Sequence, residues 1–318
     1  MEKPTINMIA ARAGVSIATV SMVLNEKGHI SEETRHRVKR IVHELGYRRR
    51  QKDGTIGIAS NTPAKYVTHL LQAASEHGYA LRRFTFPETE TCDCNLGVNI
   101  AGVIVYGGHW NPQVLDAFSQ RYPTVLMGGS IPYTQVDSVW VDSIEGIGLA
   151  VSHLITKGHR SLALINGPAD CISSWEKAIG FERAVSSKPG LGIKTVIVEA
   201  TGFRMEHGRI AARRVLEQLP DVTGIIASDG NLGFGALEML RELHIQVPDD
   251  ISLVVFRDAV RMKSAMPPLT AIGLPEISMA REVILHLVRR IQDPYADGRR
   301  LLLKPTLVER DSVATLVR

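Results

Sequence analysis

The sequence predicts a small all-α helix-turn-helix headpiece followed by a two-lobed α/β body of parallel sheets flanked by helices. Three observations predict it. Residues 5–25 encode two short helices joined by a tight turn at Gly14. Residues 1–52 hold 11 Lys and Arg against 5 Asp and Glu, a balance of +6, whereas the remainder carries −2 of the chain's net +4. From residue 56 onward apolar runs alternate with helical periodicity, the pattern of right-handed βαβ units.

In the headpiece, Thr5 is positioned to cap a helix from Ile6 to about Ala13, with Ile6, Ile9, Ala10 and Ala13 as its apolar stripe. Gly14 stops this helix, because glycine turns a chain at positive φ without steric cost. Val15 fills the turn, Ser16 caps the second helix, and Val20, Val23 and Leu24 point inward. Ile17, Ala18, Ser21, Met22 and Asn25 then face outward. Free N–H groups at a helix start suit phosphate, and a short second helix of this kind fits the DNA major groove. An ordinary helical hairpin has a similar apolar pattern and is the alternative. Ser31 caps a third helix with Glu32 and Glu33 in its first turn and Val38, Ile41, Val42 and Leu45 buried. Arg35, Arg37, Lys39 and Arg40 form its solvated face, and Gly46 ends it.

Composition excludes several classes. No run of 18 apolar residues exists, so no membrane span is expected. No apolar leader with a small-residue cleavage site follows the N-terminus, which points to the cytoplasm. Cys92, Cys94 and Cys171 make no disulfide framework, and the first two lack partners at metal-finger spacing, so they are expected as reduced loop thiols. The glycine-rich phosphate loop, the dinucleotide fingerprint after the first strand, the nucleophile-elbow motif and His-Glu-x-x-His are all missing. No cofactor, no metal and no enzymatic role is therefore expected. A pure solute-binding protein would lack the basic headpiece.

In the body, strands are expected at 56–60, 79–84, 102–106, 124–127, 139–141, 161–165, 195–199, 224–227, 251–256 and 301–307. Helices are expected at 66–77, 112–121, 144–157, 174–186, 205–219 and 276–292, with a further one ending near Leu243. That is too many units for one small sheet, so two lobes are the natural division. Ligands in such folds sit beyond the carboxyl ends of the strands, here in a cleft between lobes.

Ile9-Ala10-x-x-Ala13-Gly14-Val15-Ser16-x-x-Thr19-Val20-Ser21, Asn25, Ser31-x-x-Thr34-Arg35 and Glu44-Leu45-Gly46-Tyr47 resemble the headpiece of the LacI/GalR family of bacterial transcription regulators. Val141-Asp142, Gly158-His159-Arg160, Gly167-Pro168, Gly180-Phe181, Val247 to Leu253 and Leu307 to Ser312 are similar to the family's body. The resemblance implies a repressor-type DNA-binding protein, acting as a homodimer on a pseudo-palindromic double-stranded operator. It also implies a body like the two-lobed periplasmic-binding-protein fold, taking a small carbohydrate-like effector that biases lobe closure. The expected boundaries are a headpiece at 1–47, a short basic linker at 48–54 and a body at 55–318. The N-lobe would be about 55–157 and 273–293, the C-lobe about 158–272 and 294–318. The chain would pass between lobes near Lys157, Ile272 and Pro294.

The chain departs from the family in three places. The usual base-contacting positions hold Ile17, Ala18 and Met22, none of which makes a bidentate base contact, leaving thymine methyls and DNA shape. Thr5, Ser16, Thr19, Ser21, Asn25 and His29 complete the expected DNA contacts. The hinge between Tyr47 and Ile56 is short and lacks the family's Leu-bearing wedge helix. Its Arg48, Arg49, Arg50 and Lys52 either hold phosphates and a narrow minor groove or form a flexible charged linker. In the effector cleft, Trp175 and Arg257 replace the family's Arg and Asp. With Asn61, Tyr66, Lys177 and Asp229 they make the expected site. Trp175 can stack on an apolar ring face. Lys177 and Arg257 suit an anion such as a sugar acid or sugar phosphate, the alternative being that Arg257 pairs with Asp258 or Asp229.

Overall fold

The computed structural model describes residues 5–24, 30–44, 54–85, 96, 99–107, 110–129, 131, 134–293 and 296–316. They form two compact units, 1–54 and 55–318.

The first unit consists of α1 (Ile6–Ala13), α2 (Ile17–Leu24) and α3 (Glu32–Glu44). Thr5 Oγ1 accepts from Met8 N at the start of α1, and Gly14 ends that helix in the left-handed region, φ 66°. Ser16 Oγ accepts from Thr19 N at 3.0 Å and Ser31 Oγ from Thr34 N at 3.3 Å. Each cap satisfies an N–H that the helix leaves without a partner. Ile9, Ala10, Ala13, Val20, Val23, Val38 and Ile41 close the core, with Val15 packed against it from the turn. Leu45 and Gly46 lie outside the described residues.

The second unit runs β1 (Thr55–Ala59), α4 (Ala64–Glu76), β2 (Ala80–Phe84), β3 (Ile100–Tyr106), α5 (Pro112–Arg121), β4 (Thr124–Met127), β5 (Asp137–Val141) and α6 (Ser143–Thr156). It continues through β6 (Ser161–Asn166), α7 (Ile172–Ser186), β7 (Lys194–Glu199), α8 (Met205–Gln218), β8 (Gly224–Ala227), α9 (Gly230–Glu242) and β9 (Ser252–Phe256). It closes with α10 (Val260–Ser264), β10 (Thr270–Gly273), α11 (Glu276–Gln292), β11 (Arg300–Leu303) and β12 (Thr306–Val308). The strands build two six-stranded sheets, β11-β5-β4-β3-β1-β2 and β12-β10-β9-β8-β6-β7. Pairing is parallel except between β10 and β12.

The two-residue period of a strand puts neighbouring side chains on opposite faces, and both faces of each sheet are covered. Val103 and Val105 pack with Leu115 and Phe118 of α5, while Ile104 between them packs with α4 and α11. In the second lobe Ile225 and Ala227 meet α8 and α9, and Ile226 meets α6 and α7. Gly180 is where α6 and α7 touch: a Cβ there would lie 2.7 Å from the Ile144 carbonyl oxygen. This is the physical reason for the Gly180-Phe181 pair.

The chain crosses between lobes just after Ile272, as expected, since β10 belongs to the second sheet and α11 packs on the first, but at two other points than expected. α6 packs on α7 and on strands of the second sheet, so the first crossing is at Asp142, one helix before Lys157. Asp142 caps the new helix, its Oδ1 accepting from Glu145 N at 2.8 Å. The expected single strand 301–307 is two strands, β11 pairing with β5 in the first sheet and β12 with β10 in the second. The last crossing is therefore at Lys304-Pro305 and not near Pro294. Proline has no N–H to donate to a ladder, which explains the break. The elements α10 and β10 were not expected.

Candidate functional site

Two places carry the functional side chains, each within one unit. In the headpiece the axes of α1 and α2 turn by 101°, inside the range of helix-turn-helix pairs. Ile17 is 50% exposed and Met22 36%, and Ala18 is exposed between them on the same face of α2. Residues at i, i+1 and i+5 share one side of a helix, and Val20 and Val23 on the other side anchor it in the core. The outward face thus offers methyl and thioether groups. The Ser16 and Thr19 hydroxyls border it, 2.8 Å from each other, and Ser21 is half-buried. The candidates Asn25, His29, Arg48, Arg49 and Arg50 lie outside the described residues.

In the body a cleft of about 680 Å³ opens between the lobes at the carboxyl ends of their strands. β1 leads to Asn61, β3 ends in Tyr106, and β5 contributes Trp140 and Val141 from the first lobe. From the second lobe come Asp229 after β8, Phe256 and Arg257 at the end of β9, and Glu176 and Lys177 on α7. Of the expected residues, Asn61, Tyr66, Lys177, Asp229 and Arg257 converge here. Trp175 does not: it is 63% exposed and is not among the residues lining the cleft. The cleft face of α7 is set by Ile172, Ser173, Glu176 and Lys177, and a helix turns about 100° per residue. Position 175 therefore points elsewhere.

The geometry is that of a polar set in an aromatic frame. Tyr66 is fully buried, its ring 5.8 Å from that of Tyr106, and burial holds its phenol well above the ordinary tyrosine range. Lys177 is 7% exposed and its ammonium stands 4.5 Å from the centre of the Phe256 ring. Burial, aided by the Arg257 charge, pushes its pKa down to about 8. Glu176 is pushed up by burial, against the opposing influence of Ser143, Lys177 and Trp140. Asp229 Oδ1 caps α9 by accepting from Asn231 N at 2.8 Å. Burial disfavours the Arg257 charge, but Tyr66, Tyr106 and Asp229 around it outweigh that and hold its pKa above the ordinary arginine value. Asp258, the other expected partner of Arg257, pairs instead with Arg310 at 2.8 Å.

Sequence reasoning missed Tyr106, Trp110, Trp140, Glu176, Phe203 and Phe256, all of which line the cleft. The signal was present: Tyr106, Trp140 and Phe256 occupy strand ends, where open α/β sheets place ligands. Among the described residues no cluster of His, Cys, Asp and Glu suits a metal. No single described helix is long and apolar enough to cross a membrane.

Residues 5–50 match the family described as bacterial regulatory proteins, lacI family, and residues 151–313 match the periplasmic binding protein-like domain. The HTH-type transcriptional regulator CelR of Thermobifida fusca is 31% identical over 338 aligned positions, covering 98% of each chain. MalR of Streptomyces coelicolor, also an HTH-type transcriptional regulator, is 29% identical over 96% of each chain. Among solved structures, a CelR–cellobiose complex is 30% identical with a TM-score of 0.70, covering 97% of this chain and 99% of that one. The lac repressor dimer bound to operator and the anti-inducer ONPF shares the fold, with a TM-score of 0.71 at 22% identity over 98% of this chain and 100% of that one. These full-length relatives are transcription regulators, not enzymes. With a helix-turn-helix headpiece ahead of a two-lobed binding body, the chain belongs to the LacI family of DNA-binding bacterial transcription regulators.

Proposed function

We propose that this regulator is a repressor that binds its operator as a homodimer in the cytoplasm and answers to a neutral carbohydrate. Thr5, Ser16, Thr19 and Ser21 supply polar contacts to the duplex, and Ile17, Ala18 and Met22 supply the apolar reading face. Asn25, His29 and the basic run Arg48 to Arg50 extend the contact along phosphates.

The observation that carries the effector reading is the charge balance of the cleft. The anionic alternative rests on Lys177 and Arg257. Asp229 and Glu176 line the same cavity, so two cations face two carboxylates and the fixed charge sums to zero. A bound anion would then meet two carboxylates with no surplus cation to offset them. Carboxylate, ammonium and amide groups set among aromatic faces suit a ligand with many hydroxyls and apolar ring faces. Trp110 and Trp140, two of the chain's three tryptophans, line this cavity. The cellobiose held by the related CelR is a ligand of this chemistry.

Isothermal calorimetry tests the reading with cellobiose, glucose and ribose beside the aldonic acid of each. At least one neutral sugar is expected to bind, with its acid at least about tenfold weaker. Tight binding of an acid whose parent sugar is inert would overturn the proposal.

A further inference from the structure

We propose that Lys177 is a nucleophile in the effector cleft, capturing an aldehyde, such as the open-chain form of a reducing sugar, as a covalent imine. The inference rests on the carbohydrate reading of the cleft and names the functional group that the site takes hold of.

The geometry around one amine carries it. Lys177 lines the cavity from α7 yet is only 7% exposed, so its amine meets what enters the cleft and little bulk water. The ammonium stands 4.5 Å from the centre of an apolar ring, that of Phe256 at the end of β9. Asp229 and Glu176 line the same cavity, but among the described residues no carboxylate lies within hydrogen-bond or ion-pair distance of this ammonium. The residue after the Phe256 ring is Arg257, a second cation on the cavity wall. A lysine withdrawn from water, without a counter-ion in contact and beside another cation, loses its preference for the charged form. Lysines that attack carbonyl carbon are activated in this way. The direction of its titration agrees, since burial first and the Arg257 charge second bring it to about 8. At that value about a tenth of the molecules carry a free amine at pH 7 and about half at pH 8.

The step balances within the site. The amine lone pair forms a C–N bond to the aldehyde carbon while the C=O π pair moves to oxygen. That oxygen takes a proton from the attacking nitrogen, which gives a carbinolamine. Glu176, adjacent in the chain and on the same cavity wall, is pushed toward its protonated form by burial. Its proton leaves with the hydroxyl as water when the C–O bond breaks, and the new carboxylate balances the iminium charge. No oxidant, reductant or metal is consumed, and water returning along the same path releases the aldehyde.

Reductive trapping tests the capture. The full chain is treated with glycolaldehyde and sodium cyanoborohydride, which turns an imine into a stable secondary amine, and the adducts are located by mass spectrometry after digestion. At pH 8 Lys177 is expected to be labelled at least about tenfold faster than the exposed Lys188 and Lys263, and its rate is expected to level off above that pH. Labelling no faster than at those two surface lysines would overturn the proposal. So would a rate at Lys177 that keeps climbing in parallel with theirs well beyond pH 8. Glycolaldehyde has no sugar ring, so failure here leaves calorimetric binding of neutral sugars standing. Sugars inert in calorimetry sink the carbohydrate reading whatever the adducts show.

Discussion

Asp137→Ala is expected to cost the body about 3–5 kcal/mol of stability, the usual consequence of removing one partner from a buried ion pair. Asp137 is fully buried at the start of β5. Its carboxylate accepts from Arg289 at 2.5 Å, from Arg290 at 2.9 Å and from the Arg299 N–H at 2.8 Å, with His286 Nδ1 at 3.2 Å. One side chain thus ties β5 to α11 and to the segment that enters β11. Truncation leaves two guanidinium groups facing each other without their counter-ion, in a strand that carries Trp140 to the cleft and leads to the crossing at Asp142.

Burial alone would raise the Asp137 pKa, but the hydrogen bonds from His286, Arg289, Arg299 N and Arg290 hold it well below the usual carboxylate range. A depressed folded-state pKa stabilises at every pH above the unfolded value of about 3.9 and is lost as pH falls through the folded one. The difference between wild type and Asp137→Ala is therefore expected to be constant from neutral pH down to about 5 and to shrink in stronger acid. Urea unfolding at stepped pH measures it. A midpoint that the substitution leaves unmoved at pH 7 would show that the cluster contributes nothing.

The second large effect concerns sequence preference. Ile17, Ala18 and Met22 are exposed on one face of α2, and if that face reads the bases as proposed, its direct readout is expected to be apolar contact with thymine methyls. Selection from a random duplex library is expected to return A·T pairs opposite this face and to tolerate changes among them. Met22→Arg supplies a bidentate donor and is expected to move the facing position toward G·C by about 1–3 kcal/mol. Met22 is exposed, so the substitution leaves the core of Ile9, Val20 and Val38 untouched. Recovery of a strict G·C pair opposite Met22 by the wild type would refute methyl readout.

What was legible in the sequence follows the range of the forces involved. α1, α5 and α11 have the expected ends, because caps, Gly14 and the apolar period are local signals. Fold class and cleft position were legible too, since alternating strands and helices admit few topologies. Of the crossings, the one near Ile272 was legible and the other two were not. Whether α6 packs on the first or the second sheet, and whether residues 300–308 pair as one strand or two, depends on partners more than a hundred residues away, such as β5 for β11. In the site, Lys177 and Trp175 differ only in helical phase. A linear motif does not fix which face of α7 meets the cleft, and the family's usual position pointed to Trp175. The aromatic frame was missed for the same reason, because Trp140 and Phe203 lie in different lobes and only the tertiary fold places them on one cavity.

The central claim is that a cationic headpiece docks α2 on duplex DNA while a body of near-zero charge senses a small molecule. Fluorescence anisotropy of the full chain on its selected duplex, repeated at stepped salt, tests it most directly. Log K is expected to fall linearly with log salt, with a slope near −0.9 for each phosphate neutralised. Absence of salt-sensitive binding to any duplex, with or without the sugars tried in calorimetry, would contradict it.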